Sequence, residues 1–463
     1  MTRRPRQPNE RLSALIDETG ISHKGLAARV VKVGKAKGYG DLRYNHSSVA
    51  RWLRGEIPRE PTPALIAETF STALGRPVTV ADVGMARQQK TSVDAALQLP
   101  QRPSDSARLL EALSHDDLER RRALLGADFD IAAFNSAALR WILAPRTALP
   151  AATGSRAIGA ADIEDIREAT RAFRVLDNRM GGGRIRPTVV DYLHGNIVPL
   201  LNGSRCTEEI RRALFSAAAE LAHLAGWQAY DLEWHGLAQR YLVQALSMAR
   251  FAGDHALGGE ILAAMSHQAL WVSRPDQAMD MAQAAQAASR RVGQPILETE
   301  SLVMQANAHA ILGDAGACSN ALKQASVTFE KTGTDPPLWL RYFDQAYLAA
   351  RIAHCFRALG QGRSTEKYAL QSLDMDDRFI RGKAFNVAIL ASGYALQGET
   401  EEACAKGREA VDRVVMLHSA RAVTYIRNLL LDLAQQRDTE ECREFTQYAR
   451  LQLPALRQRA LHR

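Results

Sequence analysis

Two groups of side chains in this sequence are of the types that recognise other molecules. The first lies between Tyr44 and Gly55, where Ser47, Ser48, Arg51 and Arg54 fall together. A serine hydroxyl reaches a base edge only at close approach, and an arginine fork fits guanine O6 and N7 or a pair of phosphate oxygens. That combination suits the major groove of DNA. Asn45 and His46 sit beside it, and His23, Lys24 and Arg43 lie upstream with donors for phosphate. The second group is spread out: Trp227, Tyr230, His267, Asn307, His354 and Ser392, of which Trp227, His267 and Asn307 are each 40 residues apart. Histidine and asparagine at recurring positions can hydrogen-bond a peptide backbone without demanding its sequence, and Trp227 with Tyr230 offers an apolar anchor.

The first group needs a helix, and its flanks supply one. Val49, Trp52 and Leu53 have the i, i+3, i+4 spacing of a buried stripe, which turns Ser47, Ser48, Arg51 and Arg54 outward. Asn45 can accept an orphan N–H of the first turn, and Gly55 followed by Pro58 ends the helix. Upstream, residues 10–18 place Leu12, Leu15 and Ile16 on one face, and Gly20 closes that helix. Ser22 then caps a second helix over residues 23–33, with Leu26, Ala27 and Val30 inward. A further helix is expected over residues 63–74. Helix, glycine turn, small-residue helix and a third, outward-charged helix make a helix-turn-helix layout.

This stretch resembles the Cro/C1-type (XRE) helix-turn-helix family in Ile21-Ser22-His23 with Leu26-Ala27, and in Ser47-Ser48-Val49-Ala50-Arg51-Trp52 with Arg54-Gly55. The resemblance implies that His23 touches a phosphate, and that Ser47, Ser48 and Arg51 face bases or the adjacent backbone. The family's turn between its second and third helices is a few residues long. Here residues 32–44 intervene, which adds Lys35, Lys37 and Arg43 as backbone contacts.

The second group falls in a periodic region from Thr207 to Pro454. Small residues at Ala238, Ala278 and Cys318 are each 40 apart, with Ala403 in the same role later, and turn signals precede them. Each unit reads as helix, tight turn and second helix, so the region is an α-solenoid, with five pairs and a capping pair over residues 420–453. It resembles tetratricopeptide (TPR) repeats in Ala306, Leu312-Gly313-Asp314, Cys318, Leu322 and Ala325, and again in Ala391, Gln397-Gly398-Glu399, Ala403 and Ala410. The resemblance puts the six dispersed residues on a concave groove. Repeats longer than the family's imply an open superhelix, and an extended groove favours a peptide or protein over a small molecule. The whole chain resembles a group of large streptomycete regulators, in Asn9-Glu10-Arg11-Leu12, Leu176-Asp177-Asn178-Arg179 and residues 227–231 and 339–344. That resemblance implies repression of developmental or secondary-metabolite genes.

Composition agrees with an all-α chain: 46% of the 463 residues are hydrophobic but only 6% aromatic. Of the net charge of +8, residues 1–60 carry +7. Positive charge gathered around a candidate DNA reader is the footprint of phosphate binding. The five cysteines are dispersed and odd in number, so they read as packing residues and not as a disulfide framework. No apolar run approaches the roughly 20 residues of a membrane helix, so a cytoplasmic, nucleoid-associated protein is expected. Nucleotide, zinc-protease and nucleophile-elbow motifs are missing, and the expectation is no enzyme, cofactor or metal. Gly181-Gly182-Gly183 lacks the spacing of a nucleotide loop and reads as a flexible turn.

The expected organisation is a DNA-binding domain over 1–86, a linker over 87–106, a helical connecting region over 107–206, and a TPR-like domain over 207–463 that senses a signal and dimerises. The expected function is a homodimeric regulator on an inverted repeat of double-stranded DNA. The alternative is an interaction scaffold with weak or non-specific DNA binding.

Overall fold

Asn9 starts the first folded unit and ties its parts together. Its side chain accepts the Leu12 N–H at 3.0 Å, capping helix α1 (Glu10–Thr19), while its amide donates to Val83 O at 3.0 Å and its backbone N–H to Leu53 O at 2.8 Å. The computed structural model describes residues 8–457 apart from 59–60, 77, 81, 86–91, 121, 144–148 and 334–335. The described residues are almost entirely helical and divide into two compact units, Met1–Thr91 and Ser92–Arg463.

In the first unit Ser22 caps α2 (His23–Ala36) through the Gly25 N–H. This helix runs past residue 33 because Gly34 has no side chain: a Cβ there would lie 2.5 Å from Leu42 Cδ1, so the long connection to the next helix can fold back on it. Asn45 caps α3 (His46–Leu53), and α4 (Thr62–Leu74) closes the group. Leu12, Leu26, Val30, Val49, Trp52, Ile66 and Phe70 form the core. Each fully buried apolar side chain contributes about 1.5–3 kcal/mol, which outweighs the weak intrinsic stability of a helix as short as α3. Tyr44 completes the packing, with its ring edge-on to Trp52 at 5.2 Å and its hydroxyl 2.6 Å from Thr62 Oγ1.

The second unit begins with α5 (Pro103–Leu118), α6 (Ile131–Leu143), α7 (Ala160–Met180) and α8 (Gly182–Tyr192). The linker expected over 87–106 is a packed segment from residue 94 onward. Ala96 and Leu99 are buried, Gln244 Nε2 donates to Ala96 O and Gln98 O, and Ser106 Oγ lies 2.8 Å from Ser247 Oγ. Residues 86–91 lie outside the described ones. Six antiparallel hairpins follow: α9 (Glu208–Asp231) with α10 (His235–Ala252), α11 (His255–Trp271) with α12 (Pro275–Val292), α13 (Pro295–Ile311) with α14 (Ala315–Phe329), α15 (Gln345–Ala358) with α16 (Gly362–Ser372), α17 (Ile380–Gln397) with α18 (Thr400–Val415), and α19 (Ala420–Asp432) with α20 (Glu440–Gln452). The small residues Ala238, Ala278, Cys318 and Ala403 are fully buried where the paired helices cross. The turns of the first five hairpins each hold one residue with left-handed backbone, Glu233, Ser273, Gly313, Gly360 and Gly398.

The stack is not open. α9 packs against α19, and α7 against α17, so the last hairpins return to the first. The joint is Gly181-Gly182-Gly183, which is a close-fitting seam and not a flexible turn. Gly183 N–H donates to His418 O at 2.9 Å, His418 N–H to Met180 O at 2.8 Å, and Gly182 N–H to Asp231 Oδ2 at 3.0 Å. A Cβ on Gly181 would stand 2.8 Å from His418 O. These polar contacts join the last hairpins to α7 and α9.

Candidate functional site

On the first unit, the residues expected to face DNA divide into two kinds. His23, Lys24, Arg43, His46, Ser47, Arg51 and Arg54 are exposed. Ser47 Oγ lies 3.2 Å from His46 Nε2, Arg54 Nε donates to Ala50 O at 3.2 Å, and Arg51 has no partner among the described residues. Ser48 and Asn45 have a structural task instead. Asn45 Oδ1 accepts the Ser48 N–H at 3.1 Å, and Ser48 Oγ accepts the Asn45 N–H at 3.4 Å, a reciprocal capping box. Ser48 is buried by this arrangement, so its hydroxyl is turned into the unit and away from any groove. Lys37 is tied to Glu68 at 2.6 Å, whereas Lys35 is exposed. What remains outward on α3 is a short face of Ser47, Arg51 and Arg54, preceded by the basic N-terminus of α2.

In the second unit the dispersed group converges, though not on an open groove. Trp227, His267 and His354 line a cavity of about 170 Å³, and His267, Asn307, His354 and Ser392 line an adjoining one of about 310 Å³. Tyr230 is fully buried behind them. Residues of α17 and α19 also line this space, among them Phe385 and Tyr425.

The polar contacts there are specific. Tyr230 Oη lies 2.7 Å from His267 Nδ1, and Arg351 Nη1 lies 3.0 Å from His267 Nε2. A guanidinium only donates, so Nε2 carries the lone pair and Nδ1–H points at Tyr230. Burial, reinforced by the Arg351 and Arg421 charges, holds His267 well below the ordinary imidazole range, which keeps it neutral. His354, 3.2 Å from Tyr425 Oη, is lowered in the same way by burial and then by Arg351. Burial with Arg174 nearby pushes His223 down to about 3.

Three further features had not been anticipated from the sequence. Arg381 spans Asp177 at 2.8 Å and Asp231 at 3.3 Å, joining α17 to α7 and α9. The Arg421 guanidinium is surrounded by rings, 4.3 Å from the centre of Tyr230, 5.0 Å from Phe385, 5.3 Å from Trp227 and 5.4 Å from Trp271. Tyr342 Oη lies 2.9 Å from Glu260 Oε1 and 2.8 Å from Glu300 Oε1. One hydroxyl carries one proton, so two carboxylates cannot both accept from it. Burial raises both carboxyl groups, and the Glu260 charge raises Glu300 further. At least one of the pair is protonated. A signal for these acids was present in the chain: Glu220, Glu260 and Glu300 are also 40 apart, two helical turns ahead of Trp227, His267 and Asn307.

No helix of the described residues is long and apolar enough to cross a membrane. No curated protein matches the chain. Residues 12–86 match the family model described as the SP15 N-terminal domain, and these bounds enclose the first unit's core from Leu12 to Met85.

Proposed function

We propose that the chain is a sequence-specific DNA-binding transcriptional regulator, with the first unit as the reader and the second as a ligand-responsive domain. The observation that carries this reading is α3. The helix is anchored through buried Val49 and Trp52, fixed at its start by the Asn45–Ser48 box, and presents Ser47, Arg51 and Arg54 outward amid a net charge of +7 over residues 1–60. A rigid short helix with hydroxyl and guanidinium groups outward has the form that enters a major groove. One such helix covers only a few base pairs, so the reader acts as a homodimer on an inverted repeat. Repression is the effect that the resemblance to streptomycete regulators suggests.

The ligand-responsive part of the reading is supported by the two adjoining cavities of the second unit, whose volumes of about 170 and 310 Å³ suit a small molecule. The decisive experiment is selection of bound duplexes from a random library by the full chain at near-physiological salt. An inverted repeat with fixed spacing is the expected result. Binding that is wholly unspecific and lost as salt rises would leave the second unit as an interaction scaffold and refute the reader.

A further inference from the structure

The smaller cavity of the second unit is lined by guanidinium groups whose hydrogen-bond donors the protein does not use. Arg351 is buried, and it spends Nη1 on the neutral His267 and Nη2 on the thioether of Met304 at 3.8 Å, while its Nε has no partner. Arg174 lines the same space with Nε and Nη2 buried and unpartnered. Neither makes an ion pair among the described residues. The carboxylates nearby direct their hydrogen bonds and ion pairs elsewhere: Asp177 and Asp231 hold Arg381, Glu260 and Glu300 share the Tyr342 hydroxyl, and Glu220 pairs with Arg167, so that Glu220 and Glu260 act on Arg174 only through space. His223 also lines the cavity, buried, with both ring nitrogens unpaired. Buried guanidinium donors without acceptors, beside an imidazole without a hydrogen bond, are costly in a folded protein. The missing partner is an anion with acceptor atoms. The opposite walls are apolar, with Leu224, Trp227, Met375 and Phe385.

We propose that this cavity binds a small organic anion, a single-ring molecule bearing a carboxylate. Arg174, Arg351 and His223 take the carboxylate, and the ring lies among Leu224, Trp227 and Phe385. Its volume of about 170 Å³ is close to the roughly 150 Å³ known to hold one benzene molecule. Arg351 and His354 border both cavities, so a substituent on the ring extends into the larger one. The inference rests on the reading of the second unit as ligand-responsive, but its test does not involve DNA.

The full chain is melted with benzoate, benzamide, benzylammonium and inorganic phosphate, each at millimolar concentration, and the affinities are measured by calorimetry. Benzoate is expected to raise the melting temperature in a saturable way, ahead of the other three. Arg351→Met should weaken benzoate about tenfold, the loss of one charged hydrogen bond. The same variant should melt higher than the parent in the absence of any anion, because it removes buried guanidinium donors without acceptors. The second readout needs no ligand, and a purely structural Arg351 would move it downward. Benzoate and benzamide acting alike, benzylammonium acting most strongly, or no response to any probe overturns the proposal. Phosphate equal to benzoate overturns the ring part of it. If benzoate binds but no operator is selected, the regulator reading fails and this site stands; the converse result removes the site alone.

Discussion

Replacing Asn45 separates a residue that builds the DNA-facing helix from one that touches DNA. Asn45 Oδ1 accepts the Ser48 N–H at 3.1 Å and so satisfies one of the donors that α3 leaves open at its start. Asn45→Ala removes that acceptor and costs about 1 kcal/mol. α3 is short, and Val49 and Trp52 are its only fully buried apolar residues, so the cost falls on local opening of the helix. About 1 kcal/mol corresponds to a roughly fivefold rise in the open population, and hence in amide exchange across residues 46–53. Hydrogen exchange with mass spectrometry on the full chain reads this directly. Asn45→Asp keeps the acceptor and adds negative charge at a helix N-terminus, so exchange should stay near the parent's. The same charge faces phosphate, so binding to every DNA sequence should weaken. Neither substitution should change which bases are preferred. Unchanged exchange in Asn45→Ala together with an altered base preference would refute the capping assignment and return Asn45 to the contact surface.

The remaining predictions concern the reader, the hairpin turns and pH. Arg51→Ala should cost about 1–3 kcal/mol on the selected site and relax its preference, whereas Lys24→Ala should weaken all sequences alike and flatten the salt slope by about one; competition binding at several salt concentrations decides between them. Ser273 holds left-handed backbone at φ 58°, so Ser273→Gly should stabilise the second unit by about 0.5–1 kcal/mol in a urea melt. Glu233→Gly relieves the same strain but loses the 2.7 Å bond from Thr424 Oγ1, so its gain should be smaller. His223, His267 and His354 have folded pKa values below the unfolded one, so their contribution is complete above about 6.5 and is lost as pH falls below it, at up to about 1.4 kcal/mol per pH unit for each. Glu260 and Glu300 act in the opposite sense, since their raised values favour the folded chain as pH falls. Asp177 and Glu220, also raised by burial, act with that pair, and His235, lowered by burial, acts with the imidazoles. The check is therefore a comparison of variants: relative to the parent, His223→Phe should lose less stability between pH 6.5 and 5 in denaturant melts.

Much of the fold was legible because the first three hairpins keep one repeat length. Spacing of 40 residues placed the crossing residues at Ala238, Ala278 and Cys318 and the interior residues at Trp227, His267 and Asn307. Closure was not legible, because it depends on a small rotation per hairpin that accumulates over the stack and leaves no mark in any one repeat. It places Arg421 and Arg381 beside Asp231, positions far apart in the chain that no periodicity links. In the reader, spacing put Ser48 and Ser47 on the same outward face, and both are compatible with a groove. The burial of Ser48 follows from the capping box, in which a serine takes the place usually held by Glu or Gln.

Several of the closing contacts are polar and buried, and this bears on how a ligand acts. A seam between apolar faces would tolerate small shifts. The seam here includes Arg381 with Asp177 and Asp231, the main chain of His418 against Gly181 and Gly183, and Thr424 on Glu233, beside the Trp271–Tyr425 ring contact. Such contacts hold one geometry and lose most of their worth when a partner moves, because each leaves a buried group unsatisfied. Orphaned atoms on Asp177, Asp231, Arg381 and Arg421 show that the seam is not fully satisfied by the protein alone. The cavity borders it, with Arg381 and Arg421 in its lining. An anion held there by Arg174 and Arg351 is therefore expected to favour the arrangement of the seam that binds it more tightly, by as much as its affinities for the two arrangements differ.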